Sequence, residues 1–288
     1  QRILENGNDN SRATQSQKQA NSRRKKGVVM PFALINGIDL YYETHGSGPA
    51  LVFAHGGGGS HLSWWQQVPA FAQHYTVVTF DHRSFGHSRD LPNGPGPNAF
   101  VQDLTALLDH LKIDKATVAG QSMGGWTVCG FAAAHPERTS ALILCDTTGG
   151  IETAEADKAH ANIRERSRGE LSQVLANAHA KSFPERALAL SFLYRQISAL
   201  NTQVAPNLVS TLFALKHNVK PIVDHQVPTL LLVGEEDVLT PPAAMRRRGT
   251  QIPQARFVQI PHAGHSAYFE RADEYNRVVG EFLREVAC

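Results

Sequence analysis

Gly120-Gln121-Ser122-Met123-Gly124-Gly125 is the segment whose residue types and spacing could most directly do chemistry. It follows a strand-like run, Ala116–Ala119, and precedes a helix-like one, Trp126–Ala134. In that setting G-x-S-x-G puts the serine on a tight, strained turn with its hydroxyl projecting into a cleft. The helix that follows aims its N-terminal N–H groups at any negative charge developing there. A serine that merely caps the helix, with glycines for packing, is the competing reading. A hydroxyl is a poor nucleophile at neutral pH, so the chemistry also needs a nearby base and a group that orients the base and stabilises its charge.

Fourteen histidines could supply the base. The favoured one is His265 in Pro261-His262-Ala263-Gly264-His265-Ser266, between the last strand-like run and the final helix; His262, directly after a proline, is the rival and suits a structural role in the loop. The acid is expected after the penultimate strand, where Leu230–Gly234 runs into Glu235-Glu236-Asp237. Asp237 is preferred because Gly234 ends the strand and Thr240-Pro241 starts the next helix, which leaves Asp237 in the turn between them. Asp146, at the end of the strand-like Ala141–Cys145, is the alternative acid.

A fourth element is His55-Gly56-Gly57-Gly58-Gly59-Ser60, directly after the apolar Leu51–Ala54. Four glycines after a strand could cradle a phosphate, with Asp81 at the spacing of a ribose-binding acid. Ser60–Trp65, however, reads as no helix opening onto a pyrophosphate, and a P-loop Lys-Ser/Thr is missing. The glycines suit backbone donors to an oxyanion instead, with the N–H groups of Gly57 and Met123 as the pair.

These groups need a frame. Short apolar runs (Ala50–Ala54, Thr76–Phe80, Ala116–Ala119, Ala141–Cys145, Thr229–Val233, Phe257–Ile260) alternate with helix-like segments. They show no polar alternation, which suits strands covered on both faces. The expected fold class is α/β, a mostly parallel sheet with helices on both faces. Phe32–Ile35 and Ile38–Glu43 flank Asn36-Gly37 and predict a hairpin. Val101, Leu104, Leu107, Leu108 and Leu111 recur at helical spacing within Asn98–Leu111. From 147 to 225 no strand is convincing and amphipathic stretches such as Ala187–Leu200 predict a helical cap. The core is then 30–146 and 226–288.

On these residues the chain resembles the α/β-hydrolase superfamily from about Pro31 to its C-terminus. The run Asp81-His82-Arg83-Ser84-Phe85-Gly86-His87-Ser88 is similar to that family's D-x-R-G-x-G-x-S loop, with Ser84 standing where a glycine is usual. The order Ser122, Asp237, His265 matches the family's order of nucleophile, acid and base. The resemblance implies those three roles, favours His265 over His262, and gives Gly57 and Met123 as oxyanion donors and Asp81 and Arg83 as structural support. A serine in the elbow argues against branches resembling haloalkane dehalogenases and epoxide hydrolases. C–C hydrolases typically carry His-Gly-x-Gly-Pro-Gly, and Gly59-Ser60 departs from it.

The expected function is hydrolysis of carboxylic esters of small to medium hydrophobic substrates through an acyl-enzyme, with Trp64, Trp65 and Tyr194 lining the substrate pocket beside Phe192, Leu193, Leu212 and Phe213. Enol-lactone or C–C hydrolysis, acyl transfer, and a non-catalytic small-molecule receptor on the same fold are the alternatives. No cofactor or metal is called for; the histidines lack H-E-x-x-H spacing. Activity is expected to decline below about pH 6–7, where an ordinary imidazole protonates.

Composition narrows the partners. The 288 residues carry a net +2, but residues 1–30 hold a local +5, leaving −3 on the rest, so no nucleic acid is expected on the folded body. The polar, aperiodic leader 1–29 is expected to be disordered; with Gln first and Met30 opening the patterned sequence it reads as an upstream extension, with a basic targeting arm as the alternative. Three scattered cysteines fit no disulfide framework and suit a reducing cytoplasm. Val28–Ile35 is too short to span a membrane, and a homo-oligomer is compatible with the sequence.

Overall fold

Val, Ile and Leu runs buried on both faces build the middle of an eight-stranded sheet. The computed structural model describes residues 31–152, 178–205 and 207–287, together with 172, 175 and 176. The expected leader 1–29, and residues 153–171 of the expected cap, lie outside the described residues. The strands are β1 (Phe32–Ile35), β2 (Ile38–His45), β3 (Ala50–Ala54), β4 (Thr76–Phe80), β5 (Ala116–Gln121), β6 (Thr139–Cys145), β7 (Thr229–Gly234) and β8 (Arg256–Ile260). Their order is β1-β2-β4-β3-β5-β6-β7-β8. From β4 to β8 every pairing is parallel, whereas β1 and β2 form the hairpin and β2 joins β4 antiparallel. Asn36 and Gly37 both take positive φ, 45° and 82°, as a two-residue hairpin turn of matching twist demands.

Alternation along each strand divides the interior in two. Val52, Ala54, Val118, Leu142 and Leu144 face one layer, with Leu104, Leu107 and Leu108 of α1 (Phe100–His110) and Val128, Phe131 and Ala132 of α2 (Met123–Ala134). Leu51, Phe53, Ala119, Ile143 and Leu232 face the other, with the final helix Ala272–Val286 supplying Tyr275, Val278, Val279 and Phe282. The strand-like runs extend by one or two residues at several ends, and α1 begins after a 3₁₀ turn at Gly96–Ala99. Between β6 and β7 lie α3 (Leu188–Ala199) and α4 (Leu208–Ala214). Among the described residues no helix is long and apolar enough to cross a membrane.

Two features place a site. The chain leaves β3 for β4 on one side and returns to β5 on the other, so the C-terminal ends of β3 and β5 flank a topological switch point, where ligands bind in open α/β sheets. The loop after β4 is fixed by Arg83, only 1% exposed, whose Nη2 donates to Asp103 Oδ1 (2.7 Å) and Nη1 to Asp90 Oδ1 (2.8 Å). Ser84 adopts φ 71°, the conformation a glycine would take there without strain. Removing one partner of a buried ion pair costs about 3–5 kcal/mol. Arg83→Met is therefore expected to lower the urea midpoint sharply, while Arg277→Met, at a surface pair with Glu274 and Glu281, leaves it in place.

Candidate active site

Ser122 sits between β5 and α2 at φ 49°, ψ −116°, a strained conformation for a residue with a side chain. Two close approaches hold the turn: a Cβ on Gly120 would lie 2.4 Å from the Gly124 carbonyl oxygen, and one on Gly124 2.1 Å from that of Ala54. The Ser122 amide donates to Cys145 O (2.9 Å), and its carbonyl accepts from Gly125 N (2.9 Å) and Thr147 Oγ1 (2.7 Å). The Ser122 side chain makes no cap bond to α2. Its Oγ is turned instead to His265 Nε2, 2.8 Å away.

His265 Nδ1 lies 2.8 Å from Asp237 Oδ2. A carboxylate only accepts, so Nδ1 carries the proton and Nε2 keeps its lone pair toward the Ser122 hydroxyl. Asp237 is held by its other oxygen, which accepts from the amides of Leu239 and Thr240, both at 2.8 Å, while Glu235 and Glu236 are exposed. Burial pulls the His265 pKa down, but the Asp237 charge and hydrogen bond, helped by Asp146 and Glu270, outweigh it and raise the pKa above the ordinary 6.5.

Asp146 does not bond the imidazole. Its backbone is at φ 50°, its side chain is fully buried, and its oxygens accept from Gly234 N (2.7 Å) and Ala267 N (3.3 Å), tying the end of β7 to the turn after His265. Burial, then the neighbouring Asp237 charge, pushes its pKa well up. His262 is exposed at φ 55°, its carbonyl taken by Arg186 Nη2 (2.7 Å).

The glycine loop after β3 is set by His55. Its Nδ1 donates to Gly56 O (2.8 Å) and its Nε2 accepts from His82 N (3.0 Å). Burial drops its pKa to about 4, keeping the ring neutral and both bonds in place. Gly57 and Met123 border the same cavity as Ser122 and His265. The Met123 amide belongs to the first turn of α2, whose N–H groups have no intrahelical acceptor. Contrary to the expectation of no helix there, His61–Trp64 forms one 3₁₀ turn, because Ser60 and Ser63 cap it reciprocally. Asp81 is occupied by the His61 ring (2.8 Å) and the His87 amide (2.8 Å) and so is not free to bind a ribose.

Trp64 and Trp65 do not line the cavity. The 3₁₀ turn points Trp64 into the core, stacked on Phe53 (4.7 Å between ring centroids) and against Tyr268 (4.6 Å), and turns Trp65 outward, 41% exposed. Phe192 is likewise exposed, and half-buried Leu193 packs against the core. Tyr194, Leu212 and Phe213 do line the cavity, with Leu208, Val209, Leu239 and Trp126, around a space of about 70 Å³. Trp126 was readable as four residues, one helical turn, beyond Ser122. Gln121 had no such signal: its Nε2 donates to His265 O at 2.6 Å. Among the described residues no cluster of three His, Cys, Asp or Glu could hold a metal ion.

A parallel sheet covered on both faces, with serine, imidazole and carboxylate meeting at its strand ends, is the architecture of a hydrolytic α/β enzyme. The chain belongs to the family described as the alpha/beta hydrolase fold, which its residues 49–272 match. It is 30% identical over 261 residues to a Mycobacterium tuberculosis protein that carries the name of a non-heme bromoperoxidase, spanning 86% of this chain and 99% of that one. It is 30% identical over 258 residues to 3-oxoadipate enol-lactonase 2 of Acinetobacter baylyi, spanning 86% and 94%. A thermophilic esterase from Thermogutta terrifontis superposes with a TM-score of 0.72 at 27% identity, covering 89% of this chain and 97% of the esterase.

The raised His265 pKa has a direct consequence. Activity that needs a neutral base is lost as pH falls through that pKa, so the acidic limb of kcat/KM is expected to centre above 6.5. Asp237→Asn removes the charge that raises it and shifts the limb of the remaining activity downward; an unmoved limb would contradict the pairing.

Proposed function

We propose that the chain is a serine hydrolase of carboxylic esters with small to medium hydrophobic groups. His265 takes the Ser122 proton as Oγ attacks the ester carbonyl, and the tetrahedral oxyanion is held by the Gly57 and Met123 N–H groups. The alcohol leaves with the proton from His265, giving an acyl-Ser122 enzyme. Water, deprotonated by the same imidazole, then releases the acid and regenerates the hydroxyl. Asp237 keeps the ring in the required tautomer and stabilises its charged form.

One observation carries the reading: Oγ–Nε2 and Nδ1–Oδ2 are both 2.8 Å, in series, at the wall of a mainly apolar cavity. A lactone is an ester closed on itself and fits the same steps, in keeping with the enol-lactonase relative. Within the insertion between β6 and β7, Tyr194 of α3 and Leu208, Val209, Leu212 and Phe213 of α4 serve as the cap side of this cavity.

Ser122→Ala is expected to lower kcat on p-nitrophenyl butyrate at least about 1000-fold, on the scale seen when a nucleophile is removed from such a relay, with the folded structure retained. Turnover within tenfold of wild type would sink the proposal.

A further inference from the structure

Outside the relay a second buried carboxylate, Glu270, lies at the end of the helical turn Ala267–Glu270 that follows His265. Its side chain has no solvent exposure. Oε1 accepts from Gly264 N at 2.9 Å, and Oε2 accepts from Ala180 N at 3.1 Å and from Arg186 Nη2 at 3.1 Å. Gly264 immediately precedes His265, whereas Ala180 and Arg186 belong to the insertion between β6 and β7. The same Arg186 nitrogen reaches the His262 carbonyl.

The two segments also meet backbone to backbone. A Cβ on Gly264 would lie 2.2 Å from Ala180 N and 2.4 Å from the carbonyl carbon of His179, so only glycine permits this contact. Ser266 Oγ adds a bond to Ala178 O at 2.6 Å, and Tyr194 OH lies 3.0 Å from that hydroxyl. The base loop is thus held from the core side by Gln121 and by the Glu236 amide on Ala263 O, and from the insertion side through Glu270 and Arg186.

We propose that the Glu270–Arg186 pair is a latch through which residues 178–186 set the position of the His265 loop, making both side chains positioning residues for the base. The inference rests on the reading of His265 as the base. Burying a carboxylate is unfavourable unless its partners compensate, and here the partners, Gly264, Ala180 and Arg186, lie on the base loop or on the insertion. Displacing the insertion therefore displaces the imidazole relative to Ser122 Oγ, and reaction rates are steep in such misplacements: about 1 Å can cost 10²-fold. The latch acts on the chemical step rather than on substrate affinity.

The test compares wild type, Glu270→Gln, Arg186→Met and the double variant, with active sites counted by titration with a fluorophosphonate and Ser122→Ala run in parallel. Each single variant is expected to lower kcat per titrated site about tenfold or more with KM within twofold, and the double variant to be no worse than the poorer single one, because the pair works as a unit. The low-field proton resonance of the His265 Nδ1–H bond to Asp237 is expected to shift or broaden in both, a readout independent of turnover. Arg186→Met, altering a partly exposed residue, keeps the test available should Glu270→Gln fail to fold. Wild-type kcat per site together with an unmoved resonance, or losses that multiply in the double variant, would overturn the latch. Turnover surviving in Ser122→Ala would overturn the hydrolase reading instead.

Discussion

The hydrogen bond between Asp237 and His265 is the constraint on which the arrangement turns. A buried imidazole would ordinarily be harder to protonate, and burial does act on His265 in that direction. The Asp237 carboxylate reverses the balance and fixes which ring nitrogen faces Ser122. In a site only 3% exposed, two backbone amides bond the other oxygen of that carboxylate. The orientation and tautomer of the His265 ring are thus consequences of this one pairing at the edge of the sheet, while the strained turn at Ser122 is held separately by the close approaches at Gly120 and Gly124.

The fold delivers the parts by a simple rule. In a parallel sheet all C-terminal strand ends lie along one edge, so the loops after β3, β5, β7 and β8 converge although their residues are far apart in sequence. Asp146, after β6, serves that convergence in another way. Its carboxyl group ties β7 to the turn beyond His265, and its field reaches the imidazole without a direct bond. Asp146 and Glu270 thus add to the larger effect of Asp237 on the His265 proton affinity.

What could be read from the amino-acid order was whatever depends on local pattern. Apolar runs located the strands to within a residue or two, since the central strands β3 to β7 are buried on both faces and are mostly apolar. The turn at Ser122 was readable because its glycines are forced by backbone contact, and Asp237 because a strand end and a proline-marked helix start confine it. Trp64 and Trp65 were misjudged together: adjacent residues on a 3₁₀ turn face different ways, and only the capping serines, which fix the turn's orientation, reveal which faces inward. Gln121 left no local trace because it bonds a carbonyl 144 residues away, and Glu270 because two of its three partners, Ala180 and Arg186, lie 90 and 84 residues away. Side chains that bond main-chain groups across the fold have no partner identity to betray them in sequence.

The central claim is that Ser122 becomes covalently acylated. It is tested most directly by mixing the protein with excess p-nitrophenyl acetate, quenching in acid within the first turnovers, and locating the added acetyl mass by peptide mapping. The account predicts one acetyl group on the peptide containing Ser122, accumulating to no more than one per chain. Rapid ester turnover with that peptide unmodified, or with the acetyl group on another residue in Ser122→Ala at an undiminished rate, would contradict it.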